Sequence, residues 1–231
     1  DVRFGDIVDY AFTVRGSNPV FGGKFVNTVL LGWSEPVARF RHRMIVPAGR
    51  PVTFKVHEIE WPPITAEVSG GTEYVWVRDN LPGVPSEPDA PSGFIPVPWF
   101  EVSEFQSWEE VAAWAQAMLD PASVLRPQPI PVPFQPASAT PEQIVQFVQD
   151  EIRYLALSLG PASHRPYPPD VVATRRFGDC KDKSVFLCVL LRARGIEARP
   201  ALVNSFMREG ISARLPSPLA FDHVIVRAVI G

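Results

Sequence analysis

Short runs in which apolar and polar residues alternate fill the first part of the chain. Gly, Pro and Asn separate these runs, which are “DIVDYAFTV”, “KFVNTVLL”, “VARFRHRMIV”, “PVTFKVHEIEW” and “EYVWVRD”. Alternation with a period of two and many β-branched residues are typical of half-buried strands. Regularly spaced short strands indicate part of a sandwich or barrel. We therefore predict an antiparallel β-sandwich domain, present in part, over residues 1–98.

Helical spacing replaces this alternation in the second half of the chain. “SWEEVAAWAQAML” opens with Ser107 and carries Glu110 three residues later, which is a capping-box pattern. Thr140 and Gln143 repeat the pattern around Pro141, a residue that suits the first helical turn. The apolar residues that follow at helical spacing are Ile144, Phe147, Val148, Ile152 and Leu155. Two helices are therefore predicted, separated by the proline-rich span “RPQPIPVPFQPASATP”.

A third helix is predicted from both its start and its end. Asp179 is a favourable cap, and Gly195 follows two arginines that suit a helix C-terminus. “EARPALVNS” and “FDHVIVRAVI” then read as strands. The chain is therefore predicted to be α+β. Residues 99–140 would form a helix and a proline-rich connector, and residues 141–231 would form helices packed on an antiparallel sheet.

Composition and charge argue against several classes of function. The net charge is −3 over 231 residues and no basic stripe is present, so a nucleic-acid partner is not expected. No apolar run reaches the roughly 20 residues that a membrane-spanning helix needs. Strand-like sequence at both ends of the chain predicts that it is part of a longer protein.

The spacing of the two cysteines argues against a disulfide between them. Cys180 and Cys188 lie eight residues apart (188 minus 180), which is about 12 Å along a helix. A disulfide needs Cα atoms within about 7 Å of each other. Cys188 stands inside “SVFLCVLL” and is predicted to be a core residue. Because no Cys or His pair has the spacing of zinc ligands, neither a metal nor a cofactor is expected.

Cys180 stands at the first turn of the third helix, where unpaired N–H groups and the helix dipole create positive potential. This field favours a thiolate, and Lys181 and Lys183 add to it, whereas Asp179 and Asp182 oppose it. The free backbone N–H of Cys180 is also a candidate donor to an oxyanion. Free cysteine is, however, among the most buried residue types. The residues alone therefore leave two interpretations open, a nucleophile and a packing residue.

A thiolate nucleophile needs a base, and the chain has four histidines. His42 and His57 stand in charged strand sequence and are predicted to lie at the surface. His164 follows “LGPAS” in a loop, and its role stays open. His223, in “AFDHVIVRAVI”, is on a predicted strand, where a histidine is most often structural. It is nevertheless the best candidate partner of Cys180, since a strand beside the helix would hold its ring still.

The run “RFGDCKDKSVFLCVLLRARGIEARPALV”, followed by “FDHVIV”, resembles the transglutaminase-like superfamily, and in particular its bacterial cysteine-protease branch. That branch has the pattern R-x-G-D-C-K-D-K, an apolar helix, R-A-x-G-I-x-A-R and a strand with F-[ND]-H-V. The upstream “IRYLALSLGPASHRPYPPDVVATRRFGDC” fits as well. The β-rich opening is similar to an uncharacterised β-sandwich domain that often precedes this core. The G-D-C-K-D-K block is the specific part of the resemblance.

The resemblance implies a papain-like arrangement that acts on peptide or protein amides. Cys180 would be the nucleophile and His223 its acid and base, with a thioester released by water or by an amine. The third residue of the family is an Asp or Asn on the strand after the histidine strand. No Asp, Asn or Glu follows Asp222, so we expect this acid beyond Gly231. Relatives are often exported by bacteria, which implies a periplasmic location.

A second hypothesis is a catalytically inactive module that binds a protein partner or serves as a scaffold. Several families built on this fold keep the fold and lack the chemistry. Two observations separate the hypotheses. A full-length enzyme should carry an Asp or Asn on the strand after His223, and Cys180 should react with iodoacetamide much faster than Cys188.

Overall fold

The computed structural model describes residues 2–85, 87–124, 129–157 and 159–230. The predicted α+β class is confirmed, with antiparallel sheets in the N-terminal part and helices packed on a further sheet in the C-terminal part. Residues 125–128 of the predicted connector, and Gly231, lie outside these ranges. No helix within the ranges is both long enough and apolar enough to cross a bilayer.

Two three-stranded antiparallel sheets form the N-terminal part. Their strands are β1 (Val26–Leu30), β2 (Val37–Pro47), β3 (Thr53–His57), β4 (Ile64–Val68), β5 (Gly71–Leu81) and β6 (Trp99–Ser103). In the first sheet β6 lies between β1 and β3, and in the second β5 lies between β2 and β4. The sheets enclose a core in which the rings of Trp76 and Phe100 stack, with centroids 4.7 Å apart. Buried aromatic area of this kind stabilises the sandwich.

The sequence predicted one strand that does not form and missed two strands, β4 and β6. Residues 6–14, predicted as a strand, pair with no sheet in the described part of the chain, and Ile7, Tyr10 and Phe12 are exposed. Alternation reports only a tendency, because a strand also needs a partner edge. β6 begins directly after residue 98, and its hydrogen bonds go to β1 and β3. The first sheet therefore extends past residue 98.

Five α-helices and four strands are described in the C-terminal part. The helices are α1 (Trp108–Leu119), α2 (Pro121–Val124), α3 (Pro141–Glu151), α4 (Pro169–Arg175) and α5 (Cys180–Ala193). β7 (Arg153–Tyr154) and β8 (Phe177–Gly178) form a short parallel pair, and β9 (Glu197–Val203) and β10 (His223–Val229) an antiparallel pair. α5 packs against β9, β10, α3 and α4, so it is the central helix of this part.

The start of α3 is confirmed, whereas its end differs from the predicted pattern. Thr140 Oγ1 accepts a hydrogen bond from the Gln143 N–H at 3.2 Å, and Gln143 Oε1 accepts one from the Thr140 N–H at 2.9 Å. The helix stops at Glu151, because the N–H of Arg153 donates at 2.9 Å to the backbone carbonyl just before β8. Leu155 therefore lies outside the helix.

The prediction that His42 and His57 lie at the surface is wrong. The ring centroid of His42 lies 5.1 Å from that of Phe100, and burial lowers the pKa of this histidine. The ring of His57 stacks on Trp99 with centroids 3.8 Å apart, and its Nε2 lies 2.9 Å from the Glu101 carboxylate. The charged neighbours in sequence suggested that both side chains are exposed to solvent. Their burial depends instead on which face of the strand they occupy, because successive side chains point to opposite faces.

Glu101 also joins the sandwich to the C-terminal part. Arg214 Nε donates to Glu101 Oε1 at 2.6 Å, and the Leu215 N–H donates to Oε2 at 3.0 Å. The Ser103 hydroxyl donates at 2.5 Å to a backbone carbonyl of the same segment. These bonds hold the segment that connects β9 to β10, residues 204–222, against the first sheet.

Candidate active site

Charged side chains hold the N-terminal turn of α5 in place. The Asp182 N–H donates to Asp179 Oδ1 at 3.3 Å, and the Asp179 N–H donates to Asp182 Oδ2 at 3.2 Å, which completes a capping box. The Arg175 guanidinium donates to Asp182 Oδ2 at 2.7 Å, and the Lys181 ammonium pairs with Asp179. Both aspartates and Lys181 are buried. The turn that carries Cys180 is therefore rigidly supported.

Gly178 allows the chain to pass close to this turn. A Cβ at position 178 would lie 2.6 Å from the Cβ of Asp182, so a larger residue would displace the capping box. The carbonyl of Gly178 accepts the N–H of Leu155 at 3.0 Å, which places β7 and Tyr154 beside the start of α5. The Gly-Asp-Cys order thus has a packing reason.

A side-chain hydrogen bond places β10 next to the same turn. The Ser184 hydroxyl, one turn along α5 from Cys180, donates to the carbonyl of Val224 at 3.0 Å. His223 is the first residue of β10 and lies opposite Val203 in β9. The strand therefore delivers His223 to the end of the sheet where α5 begins.

Cys180 and His223 line the same pocket, which has a volume of about 170 Å³. The structure thus brings together the two residues that the sequence singled out. Tyr154 and His164 line this pocket too. Sequence reasoning did not single out Tyr154 and left His164 open, although both stand in the upstream segment that carried the family resemblance.

The two cysteines have different surroundings, and no disulfide joins them. Cys188 is fully buried among the apolar residues of the core, and burial raises the pKa of its thiol to about 12. The prediction of Cys188 as a core residue is therefore confirmed. Cys180 is only partly buried and faces the pocket. A reagent in solvent can therefore approach one of the two sulfur atoms.

The phenol of Tyr154 lies in the electrostatic surroundings of Cys180. Burial raises the pKa of Tyr154, and the negative charges of an ionised Cys180 and of Asp179 raise it further. An interaction with the thiol acts in the same direction, whereas the backbone N–H of Cys180 lowers the pKa. Tyr154 is therefore a protonated hydrogen-bond donor at neutral pH, next to the N–H that the sequence suggested for an oxyanion.

Asp222, which precedes His223, is engaged elsewhere. Its carboxylate accepts hydrogen bonds from the Ser205 N–H and from the Ser205 hydroxyl, both at 2.8 Å. Burial by itself raises the pKa of Asp222, but the hydrogen bonds from Ser205 outweigh this effect and the pKa is lowered. The carboxylate thus anchors the connecting segment at its junction with β10.

A larger cavity of about 800 Å³ adjoins the pocket and shares with it the side chains of Leu119, Leu202 and Phe221. One wall is the apolar side of α1, and the opposite wall includes Arg199 of β9. Its size is within the range of roughly 300–1,000 Å³ that small-molecule sites have. The pocket of Cys180 therefore opens beside a space large enough for several side chains.

Comparisons with protein families match both parts of the chain. Residues 1–85 match a domain of unknown function of solved structure (DUF3857), and residues 132–215 match the transglutaminase-like superfamily. A comparison of the sequence with curated proteins gives no significant match.

Two solved structures resemble the chain. One is the crystal structure of a “putative protease” from Parabacteroides distasonis, with a TM-score of 0.68 and 16% identity over 89% of this chain. The chain spans 41% of the length of that protein, and the likeness concerns the fold. The other is a “putative cysteine protease” from Cytophaga hutchinsonii, with a TM-score of 0.33 and 12% identity, over 90% of this chain and 72% of that one. The resemblance that the sequence predicted is thus confirmed: residues 132–215 match the transglutaminase-like superfamily, and a match to a domain of unknown function precedes them.

Proposed function

We propose that the core catalyses thiol-dependent acyl transfer on peptide or protein amides, as a protease, an amidase or a transglutaminase. One observation carries this proposal: the accessible thiol of Cys180, at the first turn of α5, lines the same pocket as His223. The family match of residues 132–215 supports it.

The proposed reaction has two halves. His223 accepts the thiol proton of Cys180, and the sulfur attacks the carbonyl carbon of the amide. The C–N bond then breaks while the imidazolium returns this proton to the leaving amine, and a thioester remains on Cys180. Water or an amine, deprotonated by His223, attacks the thioester and releases the acyl group. The thiolate recovers its proton from His223, so that all protons balance.

Two groups can donate to the oxyanion that forms on the carbonyl oxygen, once substrate binding replaces the hydrogen bond between the Cys180 N–H and the Tyr154 phenol. The backbone N–H of Cys180 is at the helix start, where it has no intrahelical partner. The Tyr154 phenol lies beside it; its ordinary pKa of about 10 already leaves it protonated at neutral pH, and burial raises that pKa further. Donors already in place before the charge develops lower the barrier without reorganisation.

A specific observation favours the second candidate function, a scaffold or binding module. The carboxylate nearest to His223 in sequence, that of Asp222, is engaged by Ser205 and so does not serve as the orienting acid in this structure. Loss of the orienting acid costs roughly four orders of magnitude in a related catalytic triad. A chain that lacks such an acid would retain a structured pocket with little turnover.

Thiol alkylation distinguishes the two functions. Iodoacetamide at pH 7, read by mass spectrometry of the intact and digested protein, reports the labelling rate at each cysteine. For an enzyme we expect Cys180 to be labelled at least about tenfold faster than free cysteine, whose thiol has a pKa of about 8.5. His223→Gln should slow labelling of Cys180, and Cys180→Ala should abolish it while Cys188 stays unlabelled. Equally slow labelling of both cysteines in the folded protein would support the scaffold.

A further inference from the structure

The loop before α4 holds His164 through a network that starts in the N-terminal part of the chain. Asn18 Nδ2 donates to Ser163 Oγ at 3.0 Å and to the Gly160 carbonyl at 3.1 Å. The Ser163 hydroxyl donates to the same Gly160 carbonyl at 2.7 Å. Ser163 Oγ also lies 2.8 Å from His164 Nδ1. Three polar groups therefore converge on one hydroxyl oxygen.

This convergence favours one tautomer of His164. A serine hydroxyl donates one hydrogen and accepts two hydrogen bonds. The Ser163 hydroxyl donates its hydrogen to the carbonyl of Gly160, and one lone pair of its oxygen accepts the hydrogen bond from Asn18 Nδ2. With the hydroxyl hydrogen on the Gly160 carbonyl, the contact with His164 is a hydrogen bond in which Nδ1 carries the proton and donates to the remaining lone pair. In the neutral ring, Nε2 is then an acceptor.

Packing and charge keep this ring still and neutral. The ring centroids of Phe21 and Trp114 lie 5.0 Å and 5.6 Å from that of His164, both edge to face. Burial lowers the pKa of His164, and the positive charge of Lys181 lowers it further. At neutral pH the ring is therefore an uncharged imidazole with a defined orientation.

Besides the proposed base His223, Nε2 of His164 is a free acceptor among the described polar groups that line the pocket. Lys181 and Tyr154 are donors, and the carboxylate of Asp179 is already paired with Lys181. Within the described ranges, Nε2 of His164 has no hydrogen-bond partner, and the ring lines a pocket of only about 170 Å³. An unpaired acceptor that lines a small pocket is available to a donor on a bound molecule.

We propose that His164 is a substrate-binding residue, whose Nε2 accepts a hydrogen bond from the N–H of the amide that Cys180 attacks. This inference rests on the proposed function and narrows it to acyl donors that carry an N–H, that is, amides in preference to esters. The amide carbonyl faces the donors at Cys180 and Tyr154, and its N–H faces His164. The nitrogen lone pair is then left open to the proton of His223.

Alkylation with two matched reagents tests this inference without knowledge of the natural substrate. Iodoacetamide carries amide N–H groups, and 2-iodo-N,N-dimethylacetamide carries none. The measured quantity is the rate constant for iodoacetamide at Cys180 divided by that for the dimethyl reagent. It is taken in wild type and in His164→Phe, which keeps an aromatic ring beside Phe21 and Trp114. We expect this ratio to fall by about 3- to 10-fold in His164→Phe, the factor that one net hydrogen bond represents.

His42→Phe is the control variant, since it removes another half-buried histidine packed against aromatic rings, in the sandwich and away from the pocket. Its ratio should equal that of wild type. An unchanged ratio in His164→Phe, with fast labelling of Cys180, overturns the role of His164 and leaves the proposed function intact. Slow labelling of Cys180 by both reagents in wild type overturns both.

A spectroscopic measurement on the wild-type chain tests the tautomer directly. A variant at position 164 is needed only to assign the resonances. Two-bond ¹H–¹⁵N correlation spectra of the full chain at pH 7 should show Nδ1 of His164 protonated and Nε2 unprotonated. A protonated Nε2 would remove the acceptor and overturn the proposal. If His164→Phe does not fold, His164→Asn, which can keep the donor to Ser163 and has no group at the Nε2 position, provides the same rate comparison.

Discussion

Replacing Glu101 with Gln should destabilise the fold more than any exposed ion-pair substitution in the chain. The Glu101 side chain is 2% exposed and that of its partner Arg214 is 8% exposed. The substitution keeps the volume but leaves the guanidinium buried without its counter-charge, and it weakens the bonds to His57 and to the Leu215 N–H. Breaking one partner of a buried pair costs about 3–5 kcal/mol. We therefore expect a loss of at least about 3 kcal/mol in the free energy of unfolding.

Glu73→Gln is the matched control, because Glu73 also pairs with an arginine, Arg43 on the neighbouring strand. Glu73 Oε1 lies 2.5 Å from Arg43 Nε, but the two side chains are 21% and 45% exposed. An exposed pair contributes about 0–1 kcal/mol. Urea unfolding followed by circular dichroism gives both values from the midpoint and the slope. A loss for Glu101→Gln no larger than that for Glu73→Gln would refute the reasoning.

Three further substitutions test other features. The hydrogen bond from Arg50 lowers the pKa of Glu104 in spite of the opposing effect of burial. Because this carboxylate stabilises the fold above its unfolded pKa of about 4.3 and stops doing so as pH falls through its lower folded pKa, wild type should lose stability more steeply below about pH 4.5 than Glu104→Gln. Equal slopes in acid unfolding curves would contradict this. Ser184→Ala removes the bond that sets β10 against α5, so kcat should fall with little change in KM, because His223 is displaced; a change confined to KM would argue against this placement. Thr140→Ala removes the cap of α3 and should cost about 1 kcal/mol in urea unfolding; an unchanged midpoint would show that the cap adds nothing.

Local rules explain why the helix starts could be predicted. Thr140 and Asp179 cap their helices through bonds to residues three positions later, so the signal lies within one turn of sequence. The same holds for the end of α5, where Gly195 adopts a φ of 89°, which glycine accommodates without strain. The candidate nucleophile Cys180 followed from this local pattern and from the family resemblance.

Non-local pairing explains most of the errors. Residues 6–14 have the alternation of a strand and find no partner edge among the described residues, whereas β6 follows a proline-rich stretch and is the central strand of a sheet. His57 stands among charged residues in sequence, but its ring stacks on Trp99 and meets Glu101. No pattern along the chain records these partners, because each is far away in sequence.

The sequence by itself determined the α+β class, the capped start of α5 and the positions of Cys180 and His223 on a helix and a strand. Only the tertiary structure decided that these two residues share a pocket with Tyr154 and His164. It also decided that Asn18 orients the loop of His164 from more than a hundred residues away. The physical reason is that caps and periodicity act within a turn or a strand, whereas a site is assembled by contacts between distant segments, whose partners depend on the packing of the whole fold.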